Sequence, residues 1–161
     1  MRRLILMRHG EAVASELAPS DRLRELTTQG VAAAIRCGQE MRARGFSPEL
    51  ILCSDAKRAV MTMEAVVRGG SFTGIASKVL SLFYLAEPEA ILGRCCEVDD
   101  AIETLLLIGH NPGWSDAATQ LGKTPLNLGT AQAALLEYLG TGTWADALYD
   151  PKEWRLRSIV P

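Results

Sequence analysis

The two histidines of this chain are the residues whose type and placement most clearly suit chemistry. They are His9 and His110, and no other histidine occurs among the 161 residues. Each lies beside a glycine and two positions beyond the end of a short apolar run, in the sequences RHG and GHN. Arg8 continues the first apolar run, and Arg58 follows a second run on the next turn of the chain. Four cationic or potentially cationic side chains therefore follow the ends of separate apolar segments.

Arginine and histidine together suit a phosphoryl group. A planar guanidinium binds two phosphate oxygens at once and stays charged at physiological pH. Backbone amides at the helix starts that follow Gly10 and Asn111 would add donors and a favourable dipole. A neutral imidazole can attack phosphorus to form a phosphohistidine that water then hydrolyses. A second, protonated imidazole can stabilise the charge on the phosphoryl oxygens.

No motif for a metal or a nucleotide accompanies these residues. The chain has no glycine-rich Walker loop, no cluster of aspartates for magnesium and no Cys-x-x-Cys pair. We therefore expect neither a metal nor a cofactor, with the phosphate charge neutralised by side chains. We interpret the four cysteines as reduced and structural. They are Cys37, Cys53, Cys95 and Cys96.

Three apolar runs position the candidate residues on one edge of a predicted sheet. Leu4 to Met7, Leu50 to Cys53 and Leu105 to Ile108 are apolar throughout, which is typical of strands covered on both faces. In open α/β sheets, ligands bind outside the carboxyl ends of the strands. If these strands are neighbours, their polar ends converge on one pocket.

Helical patterns lie between and after these strands. We predict helices over Thr28 to Arg44, Ala56 to Val67, Pro88 to Ile102 and Pro112 to Leu121, and further strands over Ala133 to Leu139 and Trp154 to Val160. This alternation predicts one domain over residues 1–161. Its class is α/β, with three α/β/α layers and a mostly parallel central sheet.

The composition is that of an ordinary globular protein. Hydrophobic residues make up 48%, charged residues 22%, and the formal net charge is −2, so we expect no nucleic-acid partner. No apolar run approaches the ~20 residues that span a bilayer, and we expect no membrane association. Because Arg8 interrupts the N-terminal apolar run too early for a secretion signal, we predict a cytoplasmic location.

We expect Trp114, Trp144 and Trp154 to pack in the core, with Trp114 at the substrate mouth as the alternative.

Four segments in order resemble the histidine phosphatase superfamily, which has the phosphoglycerate-mutase-like fold. They are LMRHGE at residues 6–11, D-x-x-R-x-L-T-x-x-G from Asp21 to Gly30, S-x-x-x-R-A-x-x-T from Ser54 to Thr62, and GHNP at residues 109–112. Together they span about two-thirds of the chain. With the short length, they are most similar to the SixA-type phosphohistidine phosphatases.

The resemblance implies a role for the matched residues. His9 would be the nucleophile that accepts the phosphoryl group. Arg8, Arg58 and His110 would hold the phosphoryl oxygens, and Asn111 would shape the pocket beside His110.

Other matched positions keep two interpretations. Glu11 could orient the surroundings of the nucleophile or cap a helix, and Ser54 could contact phosphate or cap a helix. Asp21 and Arg24 could form a rim or a local ion pair, although solvated surface charge is the commoner fate of such residues. The family's proline after the serine is Asp55 here, which puts a negative charge near the predicted anion site.

The general acid is the least defined part of the prediction. In larger members of the family, a carboxylic acid before the GHNP segment protonates an alkoxide leaving group. Glu87 and Glu89 occupy that interval, but acidic residues beside Pro88 also favour the start of a helix. A protonated imidazole leaves more readily than an alkoxide. The weak signal for an acid therefore favours a phosphohistidine substrate, with Glu87 as the candidate acid.

The sequence thus predicts a metal-independent phosphatase acting through a phosphohistidine intermediate on His9. The predicted substrate is phosphohistidine on a protein, such as a phosphotransfer domain of a signalling relay. One alternative is a phosphatase for small phosphate monoesters. The other is a non-catalytic module that recognises phosphate.

Overall fold

A six-stranded sheet forms the middle layer of the protein, in a computed structural model that describes residues 1–161. The strands are β1 (Arg2–Arg8), β2 (Leu50–Ser54), β3 (Ala76–Leu80), β4 (Thr104–Gly109), β5 (Ala133–Tyr138) and β6 (Trp154–Val160). Their order across the sheet is β3-β2-β4-β1-β5-β6. The first four are parallel to one another, and only β5 runs against its neighbours. The predicted α/β class with a mostly parallel sheet is confirmed.

Five helices cover the two faces of the sheet. They are α1 (Thr28–Ala43), α2 (Lys57–Gly70), α3 (Pro88–Cys95), α4 (Gly113–Gly122) and α5 (Trp144–Tyr149). Successive residues of β1 alternate between two cores: Leu4 and Leu6 pack with residues of α3, α4 and α5, and Ile5 and Met7 pack with α1 and α2. The three layers follow from this alternation. No helix is both long and apolar enough to cross a membrane.

The three tryptophans are fully buried, as expected of core residues. Each indole N–H donates to a backbone carbonyl, from Trp114 to Leu107 at 3.2 Å and from the other two at 2.7–2.8 Å. Trp114 lies behind the site instead of at its mouth, with its ring edge-on to His110 at a centroid distance of 6.3 Å.

One predicted helix is shorter in the structure, and two elements were not predicted. The helix predicted from Pro88 to Ile102 ends at Cys95, and the helix α5 was not predicted. The edge strand β3 was also not predicted, because four of its five residues are exposed and its side chains lack an apolar pattern.

The strand register brings the candidate residues together. Arg8 at the end of β1 is paired with Gly109 at the end of β4, and Cys53 of β2 is paired with Ile108. The segments that follow these three strands therefore leave the sheet side by side. His9 and His110 begin two of those segments, and Ser54 is the last residue of β2.

Candidate active site

A cavity of about 590 Å³ opens at the carboxyl ends of β1, β2 and β4. Its lining includes five residues that the sequence singled out for phosphate chemistry: Arg8, His9, Arg58, His110 and Asn111. The rest of the lining consists of Glu11, Ala12, Asp21, Arg24, Tyr84, Leu85 and Thr130. The predicted convergence of cationic and imidazole side chains is therefore present in the structure.

Arg58 joins the two imidazoles. The rings of His9 and His110 lie 5.2 Å apart between centroids. The Arg58 Nε–H donates to His9 Nε2 at 3.3 Å, and its Nη2–H donates to His110 Nδ1 at 3.3 Å. The side chain of Arg58 is only 3% exposed. One buried guanidinium thus donates to a ring nitrogen of each histidine.

Hydrogen bonds assign the protonated nitrogen of each ring. His9 Nδ1–H donates to the Gly10 carbonyl at 2.7 Å, which leaves the lone pair on Nε2, facing Arg58. His110 Nε2–H donates to Ser54 Oγ at 2.7 Å, and Ser54 Oγ also accepts the Ala56 amide at 3.3 Å. Ser54 is therefore placed behind His110, where it orients the ring, and it does not line the cavity.

Both imidazoles are held neutral near neutral pH. Burial, and then the charges of Arg58 and Arg8, lower the pKa of His9 to about 4, although its bond to Gly10 opposes this. Burial, followed by the charges of His9 and Arg58, lowers the pKa of His110 to about 3. A neutral His9 has the lone pair that nucleophilic attack requires. His110 is neutral too, so the prediction of a protonated second imidazole is wrong.

Thr62 on α2 fixes the loop that carries His9. Its Oγ1 donates to the Arg58 carbonyl at 2.6 Å and accepts the Gly10 amide at 3.0 Å. The Gly10 amide, expected to bind phosphate, is therefore already used within the protein. A Cβ on Gly10 would come within 2.8 Å of the Gly30 carbonyl oxygen, so the absence of a side chain lets the loop pack against α1.

Arg8 and Asn111 share an acceptor on the opposite wall. Arg8 Nη1 and Asn111 Nδ2 both donate to the Leu128 carbonyl, at 3.1 and 2.8 Å. Asn111 Oδ1 accepts from the Ser115 hydroxyl at 2.7 Å, which fixes the amide orientation. Burial lowers the pKa of Arg8 from its ordinary value, but a guanidinium remains charged at physiological pH.

Asp21 and Arg24 lie at the rim of the cavity and pair with each other, so both the rim and the ion-pair interpretations apply, although the Asp21 side chain is also partly exposed. The Asp21 carboxylate accepts from Arg58 Nη2 and from Arg24 Nη1, both at 3.1 Å, and from the Tyr84 hydroxyl. The bond from Tyr84, with those from the two arginines, lowers the pKa of Asp21 to about 2. Tyr84 was not predicted as a site residue, because a lone tyrosine before a predicted helix carries no motif.

The remaining acidic candidates lie elsewhere. Glu87 and Glu89 are exposed and do not line the cavity; Glu87 precedes α3, where its carbonyl accepts the Ala90 and Ile91 amides. Glu11 lines the cavity, but its Oε2 accepts the Thr27 hydroxyl at 3.0 Å. Since the Thr27 side chain caps α1, Glu11 supports that cap.

Asp55 does not face the anion site. Its carboxylate lies 3.4 Å from Arg22 Nε and is absent from the cavity lining. The negative charge that replaces the family's proline is thus directed to a neighbouring arginine. No group of three or more His, Cys, Asp or Glu side chains is arranged to hold a metal ion.

The chain is similar to known proteins along its whole length. A model of the histidine phosphatase superfamily, branch 1, matches residues 4–75. An uncharacterized chloroplastic protein of Arabidopsis thaliana is 33% identical over 172 residues, which cover 99% of this chain and 77% of the relative.

Two solved structures share the fold and bear the same name, candidate phosphohistidine phosphatase SixA. The protein from Nakamurella multipartitia has a TM-score of 0.85 at 24% identity, covering 99% of this chain and 95% of that one. The protein from Agrobacterium tumefaciens has a TM-score of 0.82 at 25% identity, covering 99% and 97%. With the cavity described above, these similarities show that the chain belongs to the histidine phosphatase superfamily, as a phosphatase with the fold of its SixA-type branch.

Proposed function

We propose that this phosphatase hydrolyses phosphohistidine on a protein substrate, such as a phosphotransfer domain, without a metal ion. His9 Nε2 attacks phosphorus, and the bond between phosphorus and the substrate nitrogen breaks with its electron pair going to that nitrogen. Water then attacks the phosphorus of phospho-His9, loses a proton to the medium and returns the electron pair to Nε2. Arg58 and Arg8 neutralise the phosphoryl charge in both steps.

The observation that carries the proposal is that neither carboxyl group in the cavity is placed to donate a proton beside the neutral His9. The cavity is lined by two carboxylates; Asp21 is ionised at all physiological pH values, and Glu11 is turned to Thr27. An alkoxide leaving group needs a proton from an acid, whereas a phosphohistidine ring that is already protonated leaves as neutral imidazole. The site therefore favours a P–N bond over a P–O bond.

The names of the Nakamurella and Agrobacterium proteins support the same substrate class. A partner that carries phosphohistidine, action without metal and a cytoplasmic location remain parts of this proposal.

The test compares the purified protein with its His9→Ala variant on a phosphohistidine peptide and a phosphoserine peptide, in the presence of a chelator. We expect faster phosphate release from phosphohistidine, undiminished by the chelator and lost in the variant. Preference for phosphoserine would indicate a phosphatase for phosphate esters. Binding of inorganic phosphate without turnover of either peptide would indicate a recognition module.

A further inference from the structure

Asp21 places a carboxylate at the rim of a site that must bind an anion. Its side chain is 43% exposed, while the Arg58 side chain with which it pairs is 3% exposed. A fixed negative charge beside a phosphoryl site repels the phosphoryl oxygens. The other part of the substrate, the leaving group, is the part that such a charge can attract.

The Asp21 carboxylate keeps one acceptor position free. A carboxylate offers about four lone-pair directions. Oδ2 accepts from Arg58 and Tyr84, and Oδ1 accepts from Arg24. The remaining direction on Oδ1, with the exposure of the side chain, leaves room for one N–H donor from a substrate.

In-line attack directs the leaving group toward this rim. His9, Arg58 and His110 form the inner part of the cavity, and His110 is only 2% exposed. When His9 Nε2 attacks phosphorus, the departing atom lies on the opposite side of phosphorus, toward the opening. Asp21, Tyr84 and Leu85 line the cavity where the side chains become exposed.

We propose that Asp21 recognises the protonated ring of phosphohistidine by accepting a hydrogen bond from the ring nitrogen that does not carry phosphorus. This inference rests on the proposed function and names the ionic form of the substrate that the site selects. Asp21 transfers no proton. As the P–N bond breaks, its electron pair goes to the ring nitrogen, and the ring leaves neutral with the proton that it already carried.

The consequence is a wider pH range for catalysis. An opposite charge within about 4–6 Å raises the pKa of a cation by roughly 1–3 units, so the bound ring stays protonated at pH values where the free ring loses its proton. The other charged or titratable groups around Asp21 are Arg58, Arg24, Tyr84, His110 and Arg22, whose guanidinium lies 4.1 Å from the centroid of the Tyr84 ring. None of these five groups is a carboxylate that could replace Asp21.

The experiment uses two small phosphorylated probes and two variants of the full chain. N-phosphoimidazole has a P–N bond and a second ring nitrogen, and 4-nitrophenyl phosphate has neither. Asp21→Asn keeps the shape and removes the charge. Asp55→Asn is the matched control, because Asp55 lies beside the site and outside the cavity lining.

We expect Asp21→Asn to lower kcat/KM for N-phosphoimidazole about 10-fold, which corresponds to one pKa unit. The alkaline limb of its kcat profile, which reports the enzyme–substrate complex, should move about one unit toward lower pH. The kcat/KM for 4-nitrophenyl phosphate should fall less, so that the ratio of the two kcat/KM values, N-phosphoimidazole over 4-nitrophenyl phosphate, decreases. Asp55→Asn should change neither that ratio nor the alkaline limb.

An equal loss on both probes with an unmoved alkaline limb would overturn the inference, since Asp21 would then only hold Arg58 in place. Complete loss on both probes would overturn it for the same reason. Wild-type protein that hydrolyses 4-nitrophenyl phosphate and not N-phosphoimidazole would instead contradict the proposed function itself.

Discussion

Acid should destabilise this protein through its two histidines, because folding holds both rings neutral. The pKa of His9 is about 4 in the folded state, against an ordinary value of 6.5, and that of His110 is about 3. Between pH 6.5 and these folded-state pKa values, the unfolded chain binds more protons than the folded chain. The free energy of unfolding therefore falls as the pH falls. The stabilisation is complete above about pH 6.5 and is lost as the pH falls toward and through the folded-state values.

The size of the effect follows from these values. At pH 4, an unfolded histidine is almost fully protonated, while folded His9 is half protonated. Linkage then gives a loss of about 3 kcal/mol for His9 between pH 7 and pH 4, and roughly the same for His110. Their sum approaches the whole stability of a typical domain, about 5–15 kcal/mol.

The assay is urea unfolding, followed by circular dichroism, at a series of pH values from 7 to 4. His9→Gln is the matched variant, because glutamine keeps a polar side chain and cannot titrate. We expect the wild type to lose about 3 kcal/mol more than His9→Gln over this range. The pKa of Asp21 is about 2 in the folded state against an ordinary value of 3.8, so this carboxyl contributes only near the acid end of the range, and it does so in both proteins. Equal losses in the two proteins would refute the assignment of a neutral, buried His9.

Three substitutions test the parts that hold the site. Arg58→Lys should lower kcat/KM about 100-fold or more on any phosphorylated substrate, because one ammonium group cannot replace a guanidinium that donates to both histidines. A loss below tenfold in steady-state assays would contradict this. Ser54→Ala should cost about 1–3 kcal/mol in urea unfolding, because it leaves the buried His110 Nε2 without its partner, and an unchanged midpoint would count against that bond. Gly109→Ala should destabilise by about 1–3 kcal/mol in the same assay, because a Cβ would lie 2.2 Å from the Trp114 ring; wild-type stability would show that the ring moves aside at no cost.

The central strands could be predicted from the sequence because burial on both faces makes them continuously apolar. The runs Leu4 to Met7 and Leu105 to Ile108 lie wholly within β1 and β4. The edge strand β3 lacks that signal, since its exposed positions are free to be polar. The direction of β5 against β1 depends on the path of the chain between them, which local residue patterns do not record.

The site was predictable where residues directly follow strands and less so elsewhere. His9 and His110 each follow a strand whose position the apolar runs determine. The pairing of Asp21 with Arg58 joins a loop to a helix across 37 positions, and the contact of Tyr84 with Asp21 spans 63. Such contacts depend on how loops fold back over the sheet edge. For the same reason, Glu87 occupies the sequence interval of a general acid but lies outside the cavity in the structure.

The most direct test of the account is to trap the phosphoryl group on the enzyme during turnover. Protein quenched in alkali while hydrolysing N-phosphoimidazole would be digested and its phosphorylated peptide identified by mass spectrometry. The account predicts an alkali-stable, acid-labile phosphoryl group on His9, absent from His9→Ala. A phosphoryl group on another residue, or rapid turnover with none trapped on the wild type under single-turnover conditions, would contradict His9 as the nucleophile.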